Sequence, residues 1–168
     1  MTPILIRPAS IIDISSIVEV RVGALTDEEI SGFSIPEDNF YTSIENLRKM
    51  WDSENRLKDG FEVFVAERRG KVIGFIVYNR EDCNDNIDNV VVAREERGKG
   101  VGRALVEYVE EVAKSRGVYV IKTDTTENAN GVPWKAYGFW RRMGYKDTGE
   151  RVSTEYDFKD IPLVKRLK

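Results

Sequence analysis

The sequence predicts an α+β domain: a mixed, mostly antiparallel central sheet of about six to seven strands flanked by about four helices. Three observations predict it. Runs rich in β-branched and aromatic residues recur along the chain, segments with apolar residues at helical spacing alternate with them, and one apolar strand passes through a glycine-rich loop directly into a helix. With 168 residues, 41% of them hydrophobic and 33% charged, the chain has the balance of a single domain over 1–168 that can bury a core.

Ile4 to Arg7 reads as a short strand, and Ser10 is placed to cap a helix starting near Ile11, with Ile11, Ile14, Ile17 and Val18 at helical spacing. A second helix is expected over Tyr41 to Asn55, with Ile44, Leu47 and Trp51 on one face. Phe61–Glu67 and Val72–Tyr78, joined through Arg68-Arg69-Gly70-Lys71, read as an antiparallel hairpin. The polar stretch Asn79 to Asn86 reads as a loop and Ile87 to Val92 as the next strand. A helix is expected from about Gly100 to Arg116, stopped by Gly117, with Val101, Leu105, Tyr108, Val109 and Val112 on its apolar side. Val118 to Thr123 reads as a strand, Pro133 to Met143 as a helix with proline in its first turn, and Tyr145 to Lys168 as two closing strands.

Composition excludes several function classes. Lys and Arg total 26 against 29 Asp and Glu, so no nucleic-acid footprint is expected. No apolar run approaches the roughly 20 residues that cross a bilayer, and Met1 to Ser10 is broken by Pro3, Arg7 and Pro8, unlike a secretory leader. The expectation is a cytoplasmic protein with no membrane partner. The chain has no histidine and one cysteine, Cys83, which removes an intramolecular disulfide, the usual zinc sites and Ser-His or Cys-His nucleophile pairs; no metal site is expected.

The most informative segment is Val90-Val91-Val92-Ala93-Arg94-Glu95-Glu96-Arg97-Gly98-Lys99-Gly100-Val101-Gly102-Arg103. Glycines let successive N–H groups approach a ligand, and the helix N-terminus adds partial positive charge, so the loop suits a phosphate or pyrophosphate. Arg97, Lys99 and Arg103 add full charges. A Rossmann loop would need glycine at position 103, and no Gly-Lys-Ser/Thr of a P-loop occurs. A plain turn with a solvated basic face is the other reading of the glycine spacing alone.

The spacing Arg97-x-x-Gly100-x-Gly102 resembles the coenzyme A pyrophosphate loop of the GNAT acetyltransferase superfamily. Ile6-Arg7-Pro8-Ala9 with Asp13, the hairpin around Gly70-Lys71-Val72-Ile73-Gly74, and Trp140-Arg141-Arg142-Met143-Gly144-Tyr145 resemble further family segments in the same order. The resemblance implies acetyl-CoA as co-substrate. Main-chain groups of Val90, Val91 and Val92 would hold its pantetheine, with an N–H near Val91 polarising the thioester, and amides of Arg97, Gly98, Lys99, Gly100, Val101, Gly102 and Arg103 would hold the pyrophosphate. It implies direct acetyl transfer to a primary amine of a small molecule or protein, with a homodimer as an assembly met among relatives.

Strand alternation from Val90 and Val92 makes Asp88 the candidate base, in an acidic neighbourhood with Glu81, Asp82 and Asp85 that reads first as an ordinary solvated loop and second as a negative rim for a cationic amine. Members of the family usually carry an Asn, an Ala three residues on and a Tyr four after that; here the aligned positions hold Pro133, Ala136 and Trp140. An indole N–H can stabilise a thiolate without protonating it, so Tyr137, one turn earlier, is the alternative acid, and Asn128 or Asn130 the alternative asparagine. Core packing is the competing role for both aromatics. Because the usual Tyr is missing, a non-catalytic acyl-CoA-binding regulatory module stands as the alternative function. The acceptor pocket is expected from Gly23–Tyr41, Asn79–Asn86 and Thr125–Trp134, with Phe33, Phe40, Tyr41 and Trp134 as its aromatics.

Overall fold

The fold was analysed in a computed structural model, which describes residues 2–25, 43–58, 60–81 and 84–168. Eight strands form one sheet: β1 (Leu5–Pro8), β2 (Phe61–Arg68), β3 (Lys71–Glu81), β4 (Asn84–Val92), β5 (Val120–Asn128), β6 (Lys146–Asp147), β7 (Val152–Ser153) and β8 (Phe158–Arg166). Their order is β1-β2-β3-β4-β5-β8-β6, with β7 also paired to β8. Every pairing is antiparallel except β4 with β5.

Among the described residues four helices cover the sheet: α1 (Ile14–Ala24), α2 (Ile44–Arg48), α3 (Val101–Ser115) and α4 (Ala136–Arg142). On one face, Val101, Leu105, Val106 and Val109 of α3 and Trp140 of α4 share a core with Ile76, Ile87, Ile121 and Ile161. On the other, Ile17 and Val20 of α1 and Leu47 of α2 pack on Val65, Phe75, Val77 and Val91. Burying such side chains contributes about 1.5–3 kcal/mol each.

Local chemistry explains the boundaries. Asp13 accepts from the Ser10 backbone N–H at 2.8 Å and, through both oxygens, from Arg7 at 2.8 and 2.9 Å, so the start of α1 is tied to β1. Arg69 and Gly70 both have positive φ, 54° and 75°, as a two-residue hairpin turn requires. At the end of α3, Gly117 adopts φ 79° and donates to the Lys114 carbonyl at 2.9 Å while Val118 donates to Ala113 at 3.0 Å, satisfying the last carbonyls. Gly74 lets α3 lie on β3: a Cβ there would come within 2.9 Å of the Val91 carbonyl and 3.2 Å of Val101.

Several expected boundaries move. The second helix covers only Ile44–Arg48 among the described residues, then gives way to a turn and a Trp51↔Leu57 bridge; Ile44 is exposed while Leu47 and Trp51 are buried. The polar stretch after Tyr78 belongs to strand, since the β3–β4 ladder runs on through Glu81↔Asn84. Strand β5 continues to Asn128, held along its length by β8. Pro133 sits in a bridge with Glu127, and α4 begins at Ala136. The closing segment holds three strands instead of two. Cys83 and Asp82 lie outside the described residues, as do Phe33, Phe40 and Tyr41.

Candidate active site

The sheet forks between the one parallel pair among the described residues. Strands β4 and β5 pair at Asn86↔Lys122 and Ile87↔Thr123 and nowhere further along. At the fork the buried Thr123 hydroxyl donates to the Ile87 carbonyl at 2.9 Å. Beyond it, β4 stays paired to β3 on one side through Val92 and has no strand on the other among the described residues. The fork opens into a cleft of about 760 Å³ that runs from Asp88 and Asp124 to the glycine loop and the first turn of α3.

Backbone direction alternates along β4. Ala93 donates to the Ile73 carbonyl at 2.9 Å, so alternation turns the Val91 N–H and carbonyl toward β3 and those of Val90 and Val92 into the fork. The expected thioester donor therefore shifts from Val91 to its neighbours. The Val91 side chain is buried against α1 and those of Val90 and Val92 pack on the α3 side, so all three valines serve the core while two also present backbone to the cleft.

A bulge changes the reading of Asp88. The register passes from Val77↔Asn89 to Tyr78↔Ile87, leaving Asp88 as an extra residue on β4. Ile87 packs on the α3 side with Val90 and Val92, so Asp88 faces the opposite, α1 side instead of sharing the face of Val90 and Val92. It still lines the cleft, and its side chain is exposed.

At the other end, Gly98 and Gly100 adopt φ 73° and 84°, a conformation that favours glycine, with open space where a Cβ would sit. Backbone N–H groups of residues 98–103 have no acceptor among the described residues, because all six precede or begin α3 and the first bond into the helix is Ala104 to Gly100 at 3.0 Å. Six successive amides and a helix N-terminus are an arrangement of donors that suits a diphosphate. The expected cations divide. Arg97 turns inward to the carbonyls of Ala24 and Val92, Lys99 lies 3.6 Å from Glu96, and Arg103 faces the cleft. Desolvation and neighbouring Arg94 lower the pKa of Arg97, in keeping with a structural role. Arg21, Lys135 and Arg142 also line the cleft and were not singled out from the sequence, because strands and helices far apart in the chain bring them there.

Helix α4 supplies the cleft wall. Trp140 is 3% exposed, packs edge-on against Phe139 and Tyr145 at 5.1 and 5.0 Å, and borders the cleft from within the core. Tyr137 points elsewhere: its hydroxyl donates to Asp147 at 3.0 Å, which raises its pKa, and the residue does not border the cleft. A role for Tyr137 as the acid is not supported by this placement. Asn128 uses its side-chain oxygen within its own turn, accepting from Asn130 and Val132 at 3.0 Å, and also lies off the cleft. Trp134 does border the cleft, with the Lys135 ammonium 5.2 Å from its ring centre.

The residue missed by sequence reasoning is Asp124. It lies beside the fork, one residue past Thr123, on the sheet face opposite the buried Thr123 and Thr125. Asp124 is exposed as a whole residue, yet its carboxyl sits among protein atoms that partly desolvate it and near the charges of Asp160 and Asp88, which together push its pKa up to about 6. A strand that ends at Thr123, as the sequence predicts, leaves Asp124 in a loop.

A family model described as the acetyltransferase (GNAT) domain matches residues 59–147, more than half of the chain, including the hairpin, fork, glycine loop and α4. The chain belongs to the GNAT acetyltransferase family. Within it, the GNAT chain is 34% identical over 109 residues to an uncharacterized N-acetyltransferase of Chlorobaculum tepidum, covering 64% of each protein. The fold matches the ribosomal-protein-alanine N-acetyltransferase of Brucella melitensis (TM-score 0.71, 27% identity, 97% of this chain and 99% of that one). It also matches the paia N-acetyltransferase of Thermoplasma acidophilum, solved in complex with coenzyme A (TM-score 0.68, 18% identity, 98% and 99% coverage). Among the described residues, no helix is long and apolar enough to cross a membrane.

Proposed function

We propose that this GNAT protein transfers an acetyl group from acetyl-CoA to a primary amine by direct attack. One observation carries the reading: a strand edge with no partner strand and a run of six amides with no acceptor, both among the described residues, border the same cleft. That arrangement fits a long ligand with a diphosphate at one end and an amide-bearing arm ending in a reactive carbonyl. When bound, acetyl-CoA supplies the thioester.

The chain's own groups then have distinct tasks. The amides of residues 98–103 and the Arg103 guanidinium hold the diphosphate. The open edge of β4 at Val90 and Val92 pairs with the pantetheine arm as a strand would, and an N–H there polarises the thioester carbonyl. The thiol end passes between β4 and β5, so the amine meets it from the face that carries Asp88 and Asp124. Among the described residues no tyrosine borders the cleft; the departing thiolate is stabilised by neighbouring N–H groups and takes its proton from the attacking nitrogen or from water.

The test combines binding with turnover. Calorimetry should detect acetyl-CoA, and CoA thiol release should rise above hydrolysis with one class in a panel of amino acids, polyamines, aminoglycosides and peptides. Binding without release on any acceptor would instead favour the regulatory module that Trp140, in place of a tyrosine, brings to mind.

A further inference from the structure

We propose that Asp124 takes the proton from the acceptor ammonium, and that Asp160, across the β5–β8 ladder, is its positioning residue. The proposal rests on the acetyltransferase reading above and assigns a residue within it. Asp124 pairs with Pro162 and Thr126 with Asp160, so Asp124 and Asp160 are diagonal neighbours on one face of the sheet. That face is the one opposite the α3 core, and in the acetyltransferase reading above it is the face from which the amine reaches the fork.

Location favours Asp124 over Asp88. Thr123, its immediate neighbour, is the last residue of β5 paired to β4, so Asp124 is the first side chain beyond the point where the strands part. Asp88 sits on the bulge and acts on Asp124 through its charge. The charged surroundings are mixed: Asp88 from β4, Asp160 from β8, Lys122 two residues back on the same face of β5, and Arg21 and Lys135 elsewhere on the cleft wall. Desolvation and the two carboxylates prevail and bring Asp124 to about 6, where a carboxylate is ionised at neutral pH and still basic enough to accept a proton. Burial also raises the pKa of Asp160 itself.

The proton balance is complete without a further reactant. An ammonium N–H passes its proton to the Asp124 carboxylate, the freed nitrogen lone pair forms the C–N bond, and the C–S bond breaks with its electrons going to sulfur. The second nitrogen proton neutralises the thiolate, and Asp124 returns its proton to solvent. The products are an amide, free CoA and one proton.

The experiment is the pH dependence of kcat/KM for wild type, Asp124→Asn and Asp160→Asn, with acetyl-CoA affinity and melting temperature recorded for each. Wild type should show a rate that rises with pH through about 6 and then levels. Asp124→Asn should lose about 100-fold or more in kcat with acetyl-CoA affinity retained, and with no limb near that pH. Asp160→Asn should keep the plateau while the limb moves to lower pH, because a repelling charge is gone. Carboxyl NMR of the wild type should find the same titration in Asp124 without any turnover. An Asp124→Asn enzyme with wild-type kcat and an unchanged limb would overturn the assignment, and an unmoved limb in Asp160→Asn would overturn the positioning role. Wild type that binds acetyl-CoA and acetylates no amine would overturn the acetyltransferase reading itself, and with it the proton role.

Discussion

The Thr123 hydroxyl donates to the Ile87 carbonyl at 2.9 Å, at the last residue pair that holds β4 to β5. Both residues are buried, and the bond closes the ladder where the cleft begins. Replacing Thr123 with the similarly shaped Val leaves that carbonyl without its hydroxyl donor, at a cost of about 1–3 kcal/mol. Chemical denaturation should find this loss, and acetyl-CoA affinity should weaken several-fold as the fork loosens. Unchanged stability would mean that the strands part for another reason.

Gly100 has φ 84° with nothing within 4 Å of a Cβ, so a side chain there strains the backbone without a clash. Gly100→Asp should fold with a stability loss of about 1–2 kcal/mol. A carboxylate beside the unpaired amides should cost at least about tenfold in acetyl-CoA affinity, read by calorimetry, through like-charge repulsion with the diphosphate.

Tyr137 is held by Asp147, which in turn accepts two bonds from Arg151 at 3.0 and 3.1 Å; Arg151 also reaches Glu127 at 2.9 Å. This network ties α4 to β5 and the β6–β7 turn. Tyr137→Phe should therefore cost about 1 kcal/mol of stability and leave kcat within about twofold of wild type. A large fall in kcat with an intact fold would return Tyr137 to the chemistry.

Asp124 also makes a stability prediction whose sign opposes its catalytic one. Its folded pKa, about 6, lies above the ordinary aspartate value of 3.8, so the unfolded chain ionises it more readily. The fold is relatively favoured below the unfolded value, and stability declines as pH rises from about 4 through about 6. Part of the side chain reaches solvent, so the effect is on the order of 1 kcal/mol. Asp124→Asn should be the more stable protein at pH 8 and lose that advantage at pH 4, as measured by urea denaturation.

The strand-loop-helix from Val90 to Ser115 was legible because its apolar period changes from two to 3.6 across a run of glycines. The hairpin was legible from Arg69-Gly70 and its flanking β-branched residues. The bulge at Asp88 was not, since it exists only in the register between β4 and β3, and one extra residue reverses the face of every side chain before it. Asp124 was hidden for a related reason. Thr125, Thr126, Glu127 and Asn128 carry no apolar alternation, and they are strand because β8 pairs with each of them. Tyr137 has the helical spacing of a site residue, but only the position of Asp147 shows where its hydroxyl is spent.

The most direct measurement follows the acetyl group itself. Acetyl-CoA labelled in the acetyl carbons is mixed with the protein and each amine class, quenched, and the label located by mass spectrometry. The account predicts label in an amide of the acceptor, equal in amount to the free thiol, with none on the protein. Label retained covalently on the protein, or thiol released without acetylated acceptor, would contradict direct transfer across the fork.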